Sequence, residues 1–157
     1  MIRVEWDIKA TVEGLQALLS KLRDLTPAWR NLLVYLRGAT RQTFESLGGR
    51  IGEGWQPLST PYAQFKAVKW PGQPILRASD AMFRSLTVDG ADGSVSDVTP
   101  QLLQYGTTTP YARYHQEGTP RMPKRKFLAV TEADRVQIKR IVVAHLDNQA
   151  RLSGFGE

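Results

Sequence analysis

The chain predicts an α+β fold, an antiparallel sheet packed by long N-terminal and C-terminal helices. Three observations carry that class. Ile2, Val4, Trp6 and Ile8 alternate with Arg3, Glu5, Asp7 and Lys9, the period of a strand with one buried face. Residues 11–47 and 132–151 carry apolar side chains at helical spacing. Between them, Asp89-Gly-Ala-Asp-Gly93 separates Leu86-Thr-Val88 from Val95-Ser-Asp-Val98, which is a hairpin pattern.

In chain order, Thr11 is placed to cap a helix bearing Val12, Leu15, Leu18, Leu19, Leu22 and Leu25. Thr26-Pro27 restarts it, with threonine as cap and proline at the first helical position. The next stripe is Trp29, Leu32, Leu33, Leu36, Ala39, Thr40, Phe44 and Leu47, stopped by Gly48-Gly49. Two antiparallel helices, or one helix kinked at Pro27, satisfy this pattern equally.

Residues 48–74 hold five glycines, four prolines and the aromatics Trp55, Tyr62, Phe65 and Trp70. Flexible linkers are not built from aromatics. The segment reads either as an ordered loop that lies on a surface or grips a neighbour, or as a loose loop whose aromatics tuck into the local core. Ser79 is placed to cap a short helix over residues 80–85. Residues 101–105 and 127–130 are short strand candidates. Thr131 and Asp134 have capping-box spacing ahead of a last helix at about 132–151. One domain over residues 1–152, with an extended loop at 48–74 and a tail at 153–157, accounts for the pattern.

The chain has 157 residues, enough for one domain that buries about two-thirds of its unfolded surface. It has no cysteine, which removes disulfides, thiolate metal sites and cysteine nucleophiles and is compatible with a reducing compartment. The N-terminus alternates charge and does not read as a signal peptide, and no window approaches the ~18 apolar residues of a membrane span. The net charge of +6 suits DNA, an anionic lipid surface or an acidic protein face, and equally a plain solvated surface.

The search for chemistry is mostly negative. His115-Gln-Glu117 matches half of a zinc-deaminase signature, whose other ligands need cysteines the chain lacks. His115 and His145 lack a helical zinc motif. The glycines at 48–54 have no Gly-Lys-Ser/Thr end and follow no strand, so they are not a phosphate-binding loop. There is no Gly-x-Ser-x-Gly elbow. An enzyme is not predicted, and neither a cofactor nor a metal is. Arg121, Lys124, Arg125 and Lys126 form a dense basic loop that could meet phosphates or an acidic partner. No nucleic-acid-binding motif accompanies them.

The order of several short segments is more specific. Trp55-Gln-Pro-Leu-Ser59, Lys66, Ile75-Leu-Arg77, residues 78–85, Tyr111-Ala112, His115-Gln-Glu-Gly118 and Pro123-Lys-Arg-Lys-Phe-Leu128 together resemble the phage virion morphogenesis family, over roughly residues 10–150. That family tends to carry glycine and leucine where this chain has Asp80 and Met82, and a second proline where it has Lys126. The resemblance implies a structural role in tail completion or head–tail joining, in a homo-oligomeric ring with other tail or connector proteins. It also implies a virion location, assembly in the host cytoplasm, DNA nearby and no membrane.

On the residues themselves, Tyr111, Tyr114 and His115 share a helical face expected to pack under the sheet, with Gly118 ending that turn in a left-handed conformation. Trp55, Tyr62, Phe65, Trp70, Arg121, Lys124, Arg125 and Lys126 are then the expected partner contacts. The alternative is a DNA-binding module using the loop 121–126.

Overall fold

A computed structural model describes residues 8–153. The described chain is mostly helical with one small antiparallel sheet. Its elements are α1 (Ile8–Arg23), α2 (Thr26–Glu45), a 3-10 turn (Gly49–Ile51), α3 (Thr60–Lys69), α4 (Ala81–Thr87), β1 (Ser94–Val95), β2 (Gly106–Thr107), α5 (Ala112–Glu117) and α6 (Glu132–Leu152). The α+β class holds, with the long helices against the core and the sheet reduced to Ser94 opposite Thr107 and Val95 opposite Gly106.

The alternating run at residues 2–7 lies outside the described residues. Ile8 and Lys9, read as the end of that strand, begin α1 instead, so Thr11 sits inside the helix and does not cap it. The break after α1 is at Asp24-Leu25, and Thr26 is already helical. Its backbone N–H donates to Asp24 Oδ1 at 3.0 Å, so the cap comes from the aspartate. Pro27 occupies the first turn, where its missing N–H is no loss. Helices α1 and α2 both pack on α6, and His145 Nε2 on α6 meets the Asp24 carbonyl at 3.0 Å.

Helix α2 stops where expected. The Gly48 N–H donates to the Thr43 carbonyl at 2.8 Å, with Gly48 at φ 85°. A Cβ there would run into the Glu53 carbonyl and the Trp55 indole. The bare glycine lets the chain fold back so that the Trp55 N–H reaches the Leu47 carbonyl at 2.7 Å. The core forms around this return. Phe44, Trp55, Met82, Leu86, Ala112 and Phe127 make one buried cluster flanked by Ile75, Leu76, Phe83, Tyr105 and Leu128. Phe44 is its hub, with ring centroids 5.4 Å from Trp55, 5.3 Å from Phe83 and 5.8 Å from Phe127.

The expected hairpin does not form. Leu86 and Thr87 complete α4, and Val95 pairs with Gly106 across to β2. Met82 and Leu86, one helical turn apart, both bury in the Phe44 cluster, which a strand through Leu86 would prevent. Residues 101–105 supply one bridge, Val98–Leu103, ahead of β2. Residues 127–130 form no strand. Their backbone is held by a side chain instead: Gln116 Oε1 accepts from the Phe127 and Leu128 N–H groups at 3.1 Å each, and Gln116 Nε2 donates to the Leu128 carbonyl at 2.6 Å.

The capping box at α6 is present. Asp134 N–H donates to Thr131 Oγ1 at 3.2 Å, and Thr131 N–H donates to Asp134 Oδ2 at 2.7 Å. Asp134 does more than cap: the Tyr35 hydroxyl donates to it at 2.5 Å, and the Arg50 guanidinium pairs with it. Burial alone would push this carboxyl up, but the hydrogen bonds from Arg50, Tyr35 and Thr131 outweigh that and hold it well below the usual carboxylate range. No helix among the described residues is long and apolar enough to cross a membrane.

Candidate docking cleft

The two segments richest in expected contact residues, 55–70 and 121–126, are brought together by the fold. Trp55 is buried, and its Nε1 donates to the Lys126 carbonyl at 2.6 Å. Arg125 is buried too. Its Nε donates to the Gln56 carbonyl at 2.9 Å and its Nη2 to the Pro57 carbonyl at 3.0 Å, while its backbone N–H reaches the His115 carbonyl at 2.8 Å. Lys126 pairs with Glu53 at 2.9 Å and Lys124 lies 3.7 Å from the same carboxylate. Trp55 and Arg125 therefore hold the surface in place from beneath, through the indole N–H and two of the guanidinium nitrogens. Of the four basic residues, Arg121 is exposed and forms no ion pair among the described residues.

Gly118 fixes the approach to this loop. Its N–H closes α5 on the Tyr114 carbonyl at 2.9 Å. The φ of 79° is positive as expected, but ψ is 172°, an extended form open only to glycine rather than the left-handed helical one. A Cβ at this position would sit 2.9 Å from the Lys124 nitrogen. Gly118→Ala should cost about 1–3 kcal/mol and push residues 121–126 off α5. The expected readout is a lower urea midpoint with loss of protection at the Arg125 amide in hydrogen exchange. An unchanged midpoint and protection pattern would contradict it.

The middle segment is not one loop. Residues 60–69 form α3, with Pro61 in the first turn. Its outer face presents Tyr62 and Phe65, both exposed, and leaves Val68 87% exposed. Trp70 is half-buried at its end, edge-on to Phe65 at 6.1 Å, with the Lys69 ammonium 4.7 Å from its ring. Lys66 turns inward to the carbonyls of Gln73, at 2.9 Å, and Pro74. Burial pushes the Lys66 ammonium down from its ordinary range and does the same to the Arg125 guanidinium.

The cap expected from Ser79 does not form, because α4 begins at Ala81 and Asp80 takes the cap position. It stands just before α4 at φ 60°, and its side chain makes no cap bond. Instead Arg77 Nε and Nη2 each donate to one of its oxygens at 2.8 Å, and the Arg77 guanidinium lies 3.9 Å over the Phe83 ring. A positive φ is a conformation that glycine adopts at no steric cost. Aspartate tolerates it, and Arg77 locks it there.

Helix α3, the Leu76–Met82 turn, α5 and the 121–125 loop enclose a cleft of about 820 Å³. Tyr62, Lys66, Trp70, Arg77, Asp80, Tyr111, His115, Arg121 and Arg125 are among its lining residues. Tyr111 and Tyr114 are exposed rather than packed under the sheet, and the buried member of that turn is Ala112. Tyr111 meets His115 edge-on at 6.0 Å. Burial, then the nearby Arg125 charge, pushes the His115 imidazole down and favours its neutral form. His115 and Asp80 thus share a pocket. Both Asp80 oxygens are held by Arg77, and no group of three metal-ligating side chains occurs among the described residues. His145 is engaged at the α1–α2 break, so the two histidines serve separate places.

The cleft is thus charged and lined by aromatics, and both oxygens of its carboxylate are held by Arg77. The model of the phage virion morphogenesis family matches residues 6–147. The chain belongs to that family. No curated protein and no solved structure matches it. Membership makes the chain a phage virion morphogenesis protein of a structural family and implies association with other virion proteins. Sequence reasoning missed the inward turn of Lys66, the clamp made by Gln116 and the pairing of Arg50 with Asp134. Only the first had a visible signal, a lone lysine among aromatics and prolines.

Proposed function

We propose that the protein is a structural component of a tailed-phage virion. It acts in tail completion or head–tail joining as one subunit of a homo-oligomeric ring in the tail or neck, assembled in the host cytoplasm. Family membership supports the class. The observation that favours an oligomer is the outer stripe of α1. Val12, Leu15 and Leu19, at i, i+3 and i+7, are 44%, 43% and 53% exposed, and Val136 and Val143 on α6 are also open. An apolar helix face of this kind is what a neighbouring subunit covers. Tyr62, Phe65, Trp70, Arg121 and Lys124 form a second contact surface for other tail or connector proteins. Trp55, Arg125 and Lys126 position it. The domain that carries both surfaces spans residues 1–152.

Light scattering of the purified protein, alone and mixed with phage tails, tests the reading. Discrete oligomers or tail-bound rings are expected, visible as closed rings by electron microscopy. Paired Leu15→Glu and Leu19→Glu changes should return the protein to monomer and abolish tail binding. A strict monomer that ignores tails would overturn the proposal. The DNA-binding alternative draws less support, because the Arg125 guanidinium is held by carbonyls and Glu53 takes up Lys124 and Lys126. DNA can still lie close to such a ring.

A further inference from the structure

We infer that the cleft receives a short acidic segment of another virion protein, with its carboxylates toward Arg121 and the buried cations and an apolar side chain between the aromatic walls. The inference rests on the structural virion reading above and names the chemistry of one partner.

The cleft is lined by four cationic side chains, Lys66, Arg77, Arg121 and Arg125, and by one carboxylate, Asp80. Arg77 grips both oxygens of that carboxylate. Lys66 and Arg125 are 5% and 4% exposed, and each is held by main-chain carbonyls. Neither has an ion-pair partner among the described residues. Their direct partners are neutral carbonyls, and although the Arg77-bound Asp80 carboxylate also acts on Lys66, the lining keeps an excess of positive charge in a partly desolvated site. An entering carboxylate offsets what desolvation cost them.

The remaining features select a peptide over a nucleic acid. Lys66 and two of the Arg125 nitrogens already donate to carbonyls, and both side chains are at most 5% exposed, so these groups act on a ligand by charge more than by direct contact. Arg121 alone is exposed and able to close on an incoming carboxylate through two N–H groups. A phosphate backbone wants a track of accessible cations. Tyr62 and Tyr111 are exposed members of the lining from two different segments, and the volume is within the ~300–1,000 Å³ of cavities that enclose a small ligand or a few side chains.

Fluorescence anisotropy with three labelled probes tests the inference: a nonapeptide of alternating glutamate and leucine, its lysine–leucine counterpart, and a nine-nucleotide oligothymidylate. The glutamate peptide should bind the full-length protein saturably and the lysine peptide should not. Arg121→Glu, at an exposed position that leaves the fold intact by circular dichroism, should weaken binding at least about tenfold, and Tyr62→Ala should weaken it several-fold. Absence of saturable binding, or binding indifferent to both changes, overturns the inference. So does tighter binding of the oligothymidylate with the same dependence on Arg121, which assigns the cleft to nucleic acid. Tail incorporation separates this from the parent reading. If Arg121→Glu protein enters tails as well as wild type does, the acidic occupant is wrong and the virion role stands. If wild-type protein never enters virions, the virion role itself fails.

Discussion

Asp134→Ala should destabilise the protein by about 3 kcal/mol, near the lower end for breaking a buried ion pair because the Arg50 side chain keeps 16% of its surface exposed. The carboxylate is 1% exposed and serves four donors: the Tyr35 hydroxyl, the Arg50 guanidinium, the Thr131 N–H and the Thr131 hydroxyl. Alanine removes the Asp134 half of the α6 capping box while the Thr131 hydroxyl can still accept from the backbone N–H, and it leaves Arg50 without its carboxylate. Asparagine restores size but turns an amide donor toward groups that are themselves donors, so it should rescue little. Urea denaturation reads the effect directly. With a slope of ~1–3 kcal/mol/M, the midpoint should fall by 1 M or more. A loss under about 1 kcal/mol would show that α6 is held mainly by packing.

The same group sets an acid limit. Its folded pKa lies below its unfolded value, so the unfolded chain binds the proton first. The stabilisation is complete above about pH 4 and is lost as pH falls below that. In Asp134→Asn the acid slope of stability below pH 4 should flatten. A slope identical to wild type would assign acid sensitivity to other carboxylates.

Phe44→Ala should cost about 3–5 kcal/mol, the range for emptying a buried aromatic site. Phe44 is 1% exposed and touches three other rings, from the 53–57 return, from α4 and from the 127–128 segment. These pieces are distant in sequence and meet on this side chain. The void would loosen Trp55, whose indole holds the Lys126 carbonyl, and with it the floor of the cleft. At ~2–4 °C per kcal/mol for a chain of this size, the thermal midpoint should drop by roughly 10 °C. Phe44→Leu, which keeps most of the volume, should cost under about 2 kcal/mol and leave acidic-peptide binding intact. Equal losses from both variants would mean that ring stacking, rather than volume, carries the site.

Much of the local structure was legible. The stripes of α2 and α6, the proline restart at Thr26-Pro27, the glycine stop at Gly48 and the Thr131–Asp134 box depend on side chains within a few residues of each other. Propensity and capping act at that range. The short elements were harder to read. Residues 86–88 satisfy a strand pattern and a helix end equally, and burial of Met82 and Leu86 on one helical face decided between them. The 127–130 run has strand composition, yet its N–H groups found Gln116 before they found a neighbouring strand.

The sequence by itself determined the family, the long helices and their ends, because those follow from periodicity, caps and the order of short segments. The tertiary structure alone decided which charged residues are free and which are buried. Arg50 finds Asp134 84 positions away, and Arg125 finds Gln56 across 69. Whether a basic loop offers its charge to a partner or folds it inward depends on carbonyls and carboxylates that only chain folding brings within hydrogen-bond reach.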